Sequence, residues 1–303
     1  MRPTLRQLEY IVTIHQIGSF GLAAERLNVS QPSLSAQVAT VEAELNVRLF
    51  KRGRTGATTT AKGLEFVNRA RKILSDVENL RSAMTSTLPF DGRLRLGVLP
   101  SIGPYLLPQV MRELHRTLPA LRVIVREENT LSLDEGLRNG RFDAIISTPE
   151  DHPNTWQRPL FVERLWVAVA TDHPLRSREE VEALDLSGLR LLTLDTGHRL
   201  SRIVYALAGE AGATVSNDYE GTSLDSILLM AATGAGVAVI PDLFARRQAV
   251  HREEVVLRPL RMIDAHRTIA LLSPTDSGSK ASLELLTEAL RLATSTLGLE
   301  LIE

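Results

Sequence analysis

Cysteine is absent from all 303 residues, which removes disulfides, thiolate nucleophiles and cysteine-held metals together. The seven histidines are scattered without HxH or HExxH spacing, so no metal site is expected, and no motif calls for a cofactor. GxSxG, P-loop and GxGxxG patterns are missing as well, so the chain does not read as an enzyme. No apolar run approaches the roughly 20 residues needed to cross a bilayer. The opening MRPTLRQLEYIV lacks the apolar core and cleavage site of a secretory signal. A cytoplasmic location without membrane contact is therefore expected.

What is present fits a globular chain: 44% apolar and 23% charged residues, a net charge of −1, and no low-complexity segment. At this length two or three compact units are expected rather than one core. Charge is uneven. Residues 1–72 carry eleven Lys and Arg against five Asp and Glu, a balance of +6, and the remainder carries −7. A basic head on an acidic body suits a polyanionic partner.

The head reads as helices of unequal character. TLRQLEYIVTIHQIG sets Leu5, Leu8, Ile11 or Val12, and His15 at helical spacing and stops at Gly18. SFGLAAERLNV offers Ser19 as N-cap and a narrow inner face of Ala23, Ala24 and Leu27. In SQPSLSAQVATVEAELN, Ser30 is the natural N-cap, Pro32 falls in the first turn, and Asn46 suits a left-handed end. Leu34, Val38, Val41 and Leu45 form the buried stripe. The other face begins at Gln31 and holds Pro32, Ser33, Ser35, Ala36 and Thr40, short residues that would let the helix enter a major groove about 12 Å wide. RLFKRGRTGATTTAKG then reads as a basic hairpin whose Arg52 and Arg54 reach phosphates or a minor groove. Together these make a winged helix-turn-helix.

LRQLEYIVTIHQIGSFGLAAERLNVSQPSLSAQVATVEAELNVRLFKR, with the later Thr60 and Gly63, resembles the DNA-binding domain of LysR-type transcriptional regulators. One departure is Asn46, where that family usually has Gly. The resemblance implies promoter DNA with partly palindromic half-sites as partner, a homodimer or homotetramer, and RNA polymerase as a further candidate partner. It also implies dimerisation through the proline-free helix that follows, where Phe66, Ala70, Ile73, Val77, Leu80 and Met84 make a heptad-like seam. Packing of that seam on its own domain is the alternative.

From Arg93 onward short apolar strands alternate with helices, a pattern of parallel sheets flanked by helices. This half resembles the family's effector-binding domain, with MAATGAGVAVIPD as a signature. The expected fold is an N-terminal all-α winged helix-turn-helix with a long linker helix, then a C-terminal α/β two-lobed domain like periplasmic binding proteins. The expected divisions are residues 1–60, 61–88 and 92–303. Lobe I takes 92–163 and 268–303, lobe II takes 164–267, and the chain crosses near Glu163 and Arg267.

Several segments, LDTGHRLSRI among them, resemble the OxyR-type peroxide-sensing branch of the family more closely. In that branch the residue after the His of the GH turn is the cysteine that peroxide oxidises, and its partner lies nine residues on. Here those positions are Arg199 and Ala208, so both redox cysteines are lacking. Ser101, Thr130, His198 and Arg267 match the polar pocket around that cysteine. Ser101, Thr222 and Ser223 each stand before a helix, where hydroxyl and amide groups receive oxygen or negative charge. They are equally readable as N-caps. His198 is also readable as closing its strand, and Arg199 as pairing with a carboxylate or facing water. The effector-binding candidates are thus Ser101, Thr130, His198, Arg199, Thr222, Ser223 and Arg267, for a small anion or a hydroxylated molecule. The expectation is a regulator controlled by a bound small molecule; the alternatives are redox response through the five methionines, or a solute-binding module with no DNA role.

Overall fold

The computed structural model describes residues 3–53, 56–85, 88–216, 223–275 and 280–302. They form two compact units, 1–87 with 138–141 and 88–137 with 142–303.

The first unit holds α1 (Leu5–Ile17), α2 (Phe20–Arg26), α3 (Gln31–Leu45), the antiparallel pair β1 (Phe50–Gly53) and β2 (Gly56–Thr59), and α4 (Ala61–Thr85). Each of the first three helices begins where a side-chain oxygen replaces a missing partner for an amide: Thr4 and Gln7 cap α1 reciprocally, Ser19 receives the Leu22 N–H, and Ser30 receives the Ser33 N–H. Gly18 and Asn46 end α1 and α3 in the left-handed conformation, so Asn performs the task usual for Gly in the family. Leu8, Ile11, Ile14, Ala23, Ala24, Leu34, Val38 and Val41 meet in one core. Leu5 and Leu45 lie outside it, at 46% and 43% exposure. Both stripes are thus one turn shorter than their periodicity predicts, because the helix ends overhang the small core.

The wing is fastened at several points. Glu42 of α3 accepts the Leu49 and Phe50 N–H groups at 2.7 and 3.2 Å, and Ala57 donates to the Gly18 carbonyl at 2.7 Å. Thr60 donates to the Arg48 carbonyl and accepts the Gly63 N–H, which caps α4. Gly63 packs so closely that a methyl there would run into the Leu49 carbonyl oxygen. Gly63→Ala is therefore expected to cost the first unit about 1–3 kcal/mol through overpacking. A melt of Gly63→Ala overlaying that of the parent would refute this.

Along α4 the seam divides. Val67 and Ala70 join the core of the first unit, with Phe66 and Leu74 partly buried against it. Ile73, Leu80 and Met84 stay exposed.

The second unit runs β3 (Arg93–Val98), α5 (Gly103–Thr117), β4 (Arg122–Glu127), α6 (Thr130–Arg138), β5 (Ala144–Ser147), β6 (Thr155–Ala170), β7 (Val181–Glu182) and β8 (Arg190–Leu192). It continues with α7 (Arg199–Ala211), β9 (Thr214–Val215), α8 (Leu224–Ala232), β10 (Val237–Pro241), α9 (Asp242–Arg247), β11 (Val255–Arg261), β12 (His266–Pro274), α10 (Lys280–Thr296) and β13 (Glu300–Leu301). Two apolar cores result, one around β3, β5, α5 and α10 and the other around β8, β10, α7 and α8. We call them lobe I and lobe II.

The sheets are mixed rather than parallel. β3 runs parallel to β4 and β5, and β8 to β9 and β10, as strand–helix alternation predicts. The sixteen-residue β6, however, threads both lobes: its first part pairs antiparallel with β12, its second with β10 and β11. A chain that crosses out on β6 and returns on β12 must run in opposite directions there, which periodicity alone does not reveal.

Candidate functional site

On α3 the short residues do face outward. Gln31, Pro32, Ser33 and Ala36 are exposed and Ser35 and Thr40 half-buried, while Leu34, Val38 and Val41 point inward. Gln37 shares this outer surface, with its Oε1 held by Gln7 at 3.0 Å; sequence reasoning passed over it because its neighbours carried the pattern. Arg52 lies on β1 opposite Ala57. Arg54 falls outside the described residues.

In the second unit, two of the predicted residues, Ser101 and Arg267, meet where the lobes join. Arg267, near the start of β12, lies in register with Glu163 in the middle of β6. Its Nε donates to Glu163 Oε2 at 2.9 Å and its Nη2 to Ser101 Oγ at 2.9 Å. The other Glu163 oxygen accepts the Leu243 N–H from α9 at 2.8 Å. Glu163 is fully buried and the Arg267 side chain 3% exposed. Burial pushes the Glu163 carboxyl up from its usual range, while the Arg267 guanidinium and the Leu243 N–H pull it back. Ser101 is therefore no N-cap: the cap position of α5 belongs to Ile102, and the Ser101 hydroxyl is an acceptor for Arg267. Glu163 is the partner that sequence reasoning missed, since a lone Glu within an apolar strand signals only that something must neutralise it.

His198 occupies the N-cap position of α7 without a side-chain capping bond. Its ring is buried, and Nε2 stands 3.8 Å from Asp195, beyond hydrogen-bond reach. Desolvation lowers its pKa, Asp195 opposes this, and nearby Arg267 lowers it further. The neutral imidazole therefore prevails at pH 7. Gly197 leaves room for its neighbour: a methyl there would meet Asn129 Nδ2 at 2.6 Å, so that side chain would have to shift.

The N–H of Arg199 donates to the buried Thr130 Oγ1 at 3.2 Å, tying α7 to the start of α6. The Arg199 guanidinium pairs with Asp151 at 3.5 Å, with 30% of its side chain exposed. Ala208 is buried within lobe II. Ser223 is the exposed N-cap of α8 with no side-chain capping bond, and Thr222 lies outside the described residues. Two buried hydroxyls, Thr193 and Ser201, bracket the turn in sequence and have no hydrogen-bond partner.

A third cluster needs separating from chemistry. His152 receives or donates at Ser147 Oγ (3.0 Å) and Asp134 Oδ1 (3.1 Å), the connectivity of a nucleophile triad. Ser147 is completely buried, so no substrate can reach it; the arrangement ties the 3-10 turn Pro149–Asp151 to β5 and α6. Among the described residues no cluster of three or more carboxylates and imidazoles could hold a metal ion, and no helix is long and apolar enough to cross a membrane.

An outward face of short residues on a winged helix-turn-helix, joined to a two-lobed domain with polar groups at the lobe junction, defines a ligand-responsive DNA-binding regulator. Residues 5–64 match the model of the bacterial regulatory helix-turn-helix proteins of the LysR family, and residues 89–294 that of the LysR substrate binding domain. The chain belongs to the LysR family of DNA-binding transcriptional regulators, whose members bind promoter DNA and small-molecule effectors and form oligomers. It is 35% identical over 289 residues to the hydrogen peroxide-inducible genes activator of Pectobacterium carotovorum, covering 95% of each chain. It is 34% identical to the DNA-binding transcriptional dual regulator OxyR of Escherichia coli K12, over 95% of this chain and 94% of that one. Among solved structures, a full-length OxyR variant from Pseudomonas aeruginosa is similar with a TM-score of 0.72 at 32% identity, covering 95% of this chain and 98% of the other.

Proposed function

We propose that this chain is a cytoplasmic, non-enzymatic regulator that reads promoter half-sites through α3 and the wing, and that responds to a small uncharged, hydroxyl-bearing effector at the lobe junction. Gln31, Pro32, Ser33, Ser35, Ala36 and Thr40 enter the major groove, while Arg52 and Arg54 engage phosphates or the minor groove. The effector contacts His198, Thr130, Ser101 and their neighbours, with Ser223 at the α8 side and Thr222 as a further candidate from the sequence. The observation that carries the choice of effector is the state of the charges: Arg267 is neutralised by Glu163, Arg199 is paired with Asp151, and His198 is neutral. Around His198 and Ser101 the cation is already matched, Arg267 by Glu163, so that part of the site offers hydroxyl and imidazole hydrogen bonds rather than a net positive charge, which favours the hydroxylated reading over the small anion.

Ile73, Leu80 and Met84, exposed along α4, support a dimer made through that helix, and hence two recognition helices on a partly palindromic operator. Assembly to a tetramer and contact with RNA polymerase belong to the same reading. The division at 1–60, 61–88 and 92–303, with lobe II at 164–267, is part of it too. Sensing proceeds without thiol chemistry, because the positions that correspond to the branch's two cysteines are Arg199 and Ala208.

Two measurements test this. Operator affinity should fall steeply with salt, since basic side chains displace phosphate counterions; equal affinity for promoter and random DNA would end the regulator reading. A thermal-shift series of small alcohols, hydrogen peroxide, and mono- and dicarboxylates should show stabilisation by uncharged members, with peroxide leaving the protein mass unchanged. Stabilisation by carboxylates alone, or a reversible oxidation that alters the DNA footprint, would overturn the effector assignment.

A further inference from the structure

Two arginines stand at the wrong end of a helix. Arg199 and Arg202 occupy the first turns of α7, where the helix dipole is positive, and no acidic residue lies in that first turn to compensate. The missing negative charge comes from the other lobe. Asp151, in the 3-10 turn Pro149–Asp151 of lobe I, accepts from Arg202 Nη2 at 2.6 Å and pairs with Arg199 Nη1 at 3.5 Å through the same oxygen. Arg199 and Arg202 are three residues apart and so share a helix face.

Asp151 is held ready for this. Its second carboxylate oxygen accepts the Thr148 hydroxyl at 2.6 Å, and its side chain is 5% exposed, against 30% and 49% for the two arginines. The next residue, His152, is wedged between Asp134 and Ser147, and its carbonyl accepts from Thr155 and Gln157. The carboxylate therefore sits on a rigid mount while the cations hang from the helix. The Arg199 N–H to Thr130 adds a backbone tie between the same two lobes.

We propose that Asp151, Arg199 and Arg202 form an ionic clasp that fastens α7 of lobe II to lobe I, and that release of this clasp is the conformational step that alters the DNA complex. Without Asp151 the first turn of α7 keeps two cations against its own dipole, so that turn frays and the 195–198 turn before it loses its anchor. The step is reversible and breaks no covalent bond.

Hydrogen exchange on the full-length protein without DNA tests the clasp, using Asp151→Asn, Arg202→Gln and the double variant, with operator footprints run in parallel. Asp151→Asn keeps the shape and the Thr148 contact, and Arg202→Gln lies at the surface, so both are expected to fold. Amides 198–203 should exchange at least tenfold faster in either single variant while β5 and β10 keep their protection. The double variant should be no faster than Asp151→Asn, because that substitution already removes both ion pairs and Arg202→Gln removes only one of them, and the footprints should differ from that of the parent. Unchanged exchange at 198–203, an increase spread over both lobes, additive effects in the double variant, or parental footprints would each overturn the proposal.

Discussion

Glu163→Gln is expected to destabilise the second unit by about 3–5 kcal/mol, the usual cost of leaving one member of a buried ion pair alone. The substitution keeps the shape, so the loss is electrostatic. Both Glu163 oxygens face donors, the Leu243 N–H on one side and the Arg267 guanidinium on the other. A Gln amide has one acceptor oxygen, so its NH2 must confront one of those donors in a fully buried site. Arg267 would also stand as an uncompensated cation near the neutral His198. Urea unfolding followed by tryptophan fluorescence measures the effect, and a midpoint equal to that of the parent would exclude the ion pair as a structural element. Glu163→Leu combined with Arg267→Met removes both charges and should lie nearer the parent than Glu163→Gln, the remaining cost being the buried Leu243 N–H left without its acceptor, about 1–3 kcal/mol. A double variant worse than Glu163→Gln would show that the pair is held by something beyond charge balance.

Ala36→Glu is expected to reduce operator affinity at least 100-fold, about 2.7 kcal/mol. Ala36 is exposed on the outward face of α3, so the fold should tolerate the change, and Glu is a good helix former. On DNA the same carboxylate would meet phosphates and acceptor-rich base edges with no donor to offer. The loss should be similar for specific and random sequences, since the repulsion is mainly with phosphate. Fluorescence anisotropy on an operator fragment, with a thermal melt as control, separates the two effects. Unchanged affinity would remove this face of α3 from the DNA interface.

The first unit was largely legible because its information is local. Ser30, Pro32 and Asn46 mark the ends of α3 by their own backbone chemistry, and Gly18 and Ser19 mark the junction between the first two helices. The second unit was legible only as alternation. That β6 serves both lobes, and that β12 runs against it, depends on pairing between residues about a hundred positions apart. The polar junction shows the same divide. Ser101, Thr130, His198 and Arg267 could be named from resemblance, but Glu163 and Asp151 could not. A carboxylate declares its role only when the cation that it faces is known, and both partners arrive from distant segments.

The hold of Glu42 on the Leu49 and Phe50 amides bears on how such a protein can change its reading of DNA. One carboxylate on α3 also fixes the root of the wing, so the two elements proposed to read DNA are tied to each other. Neither can be re-aimed on its own. On the proposed reading, an effector signal arriving at this head leaves its base preference unchanged and alters only where the head is set down, and so the distance and phase between the half-sites that two such heads occupy together.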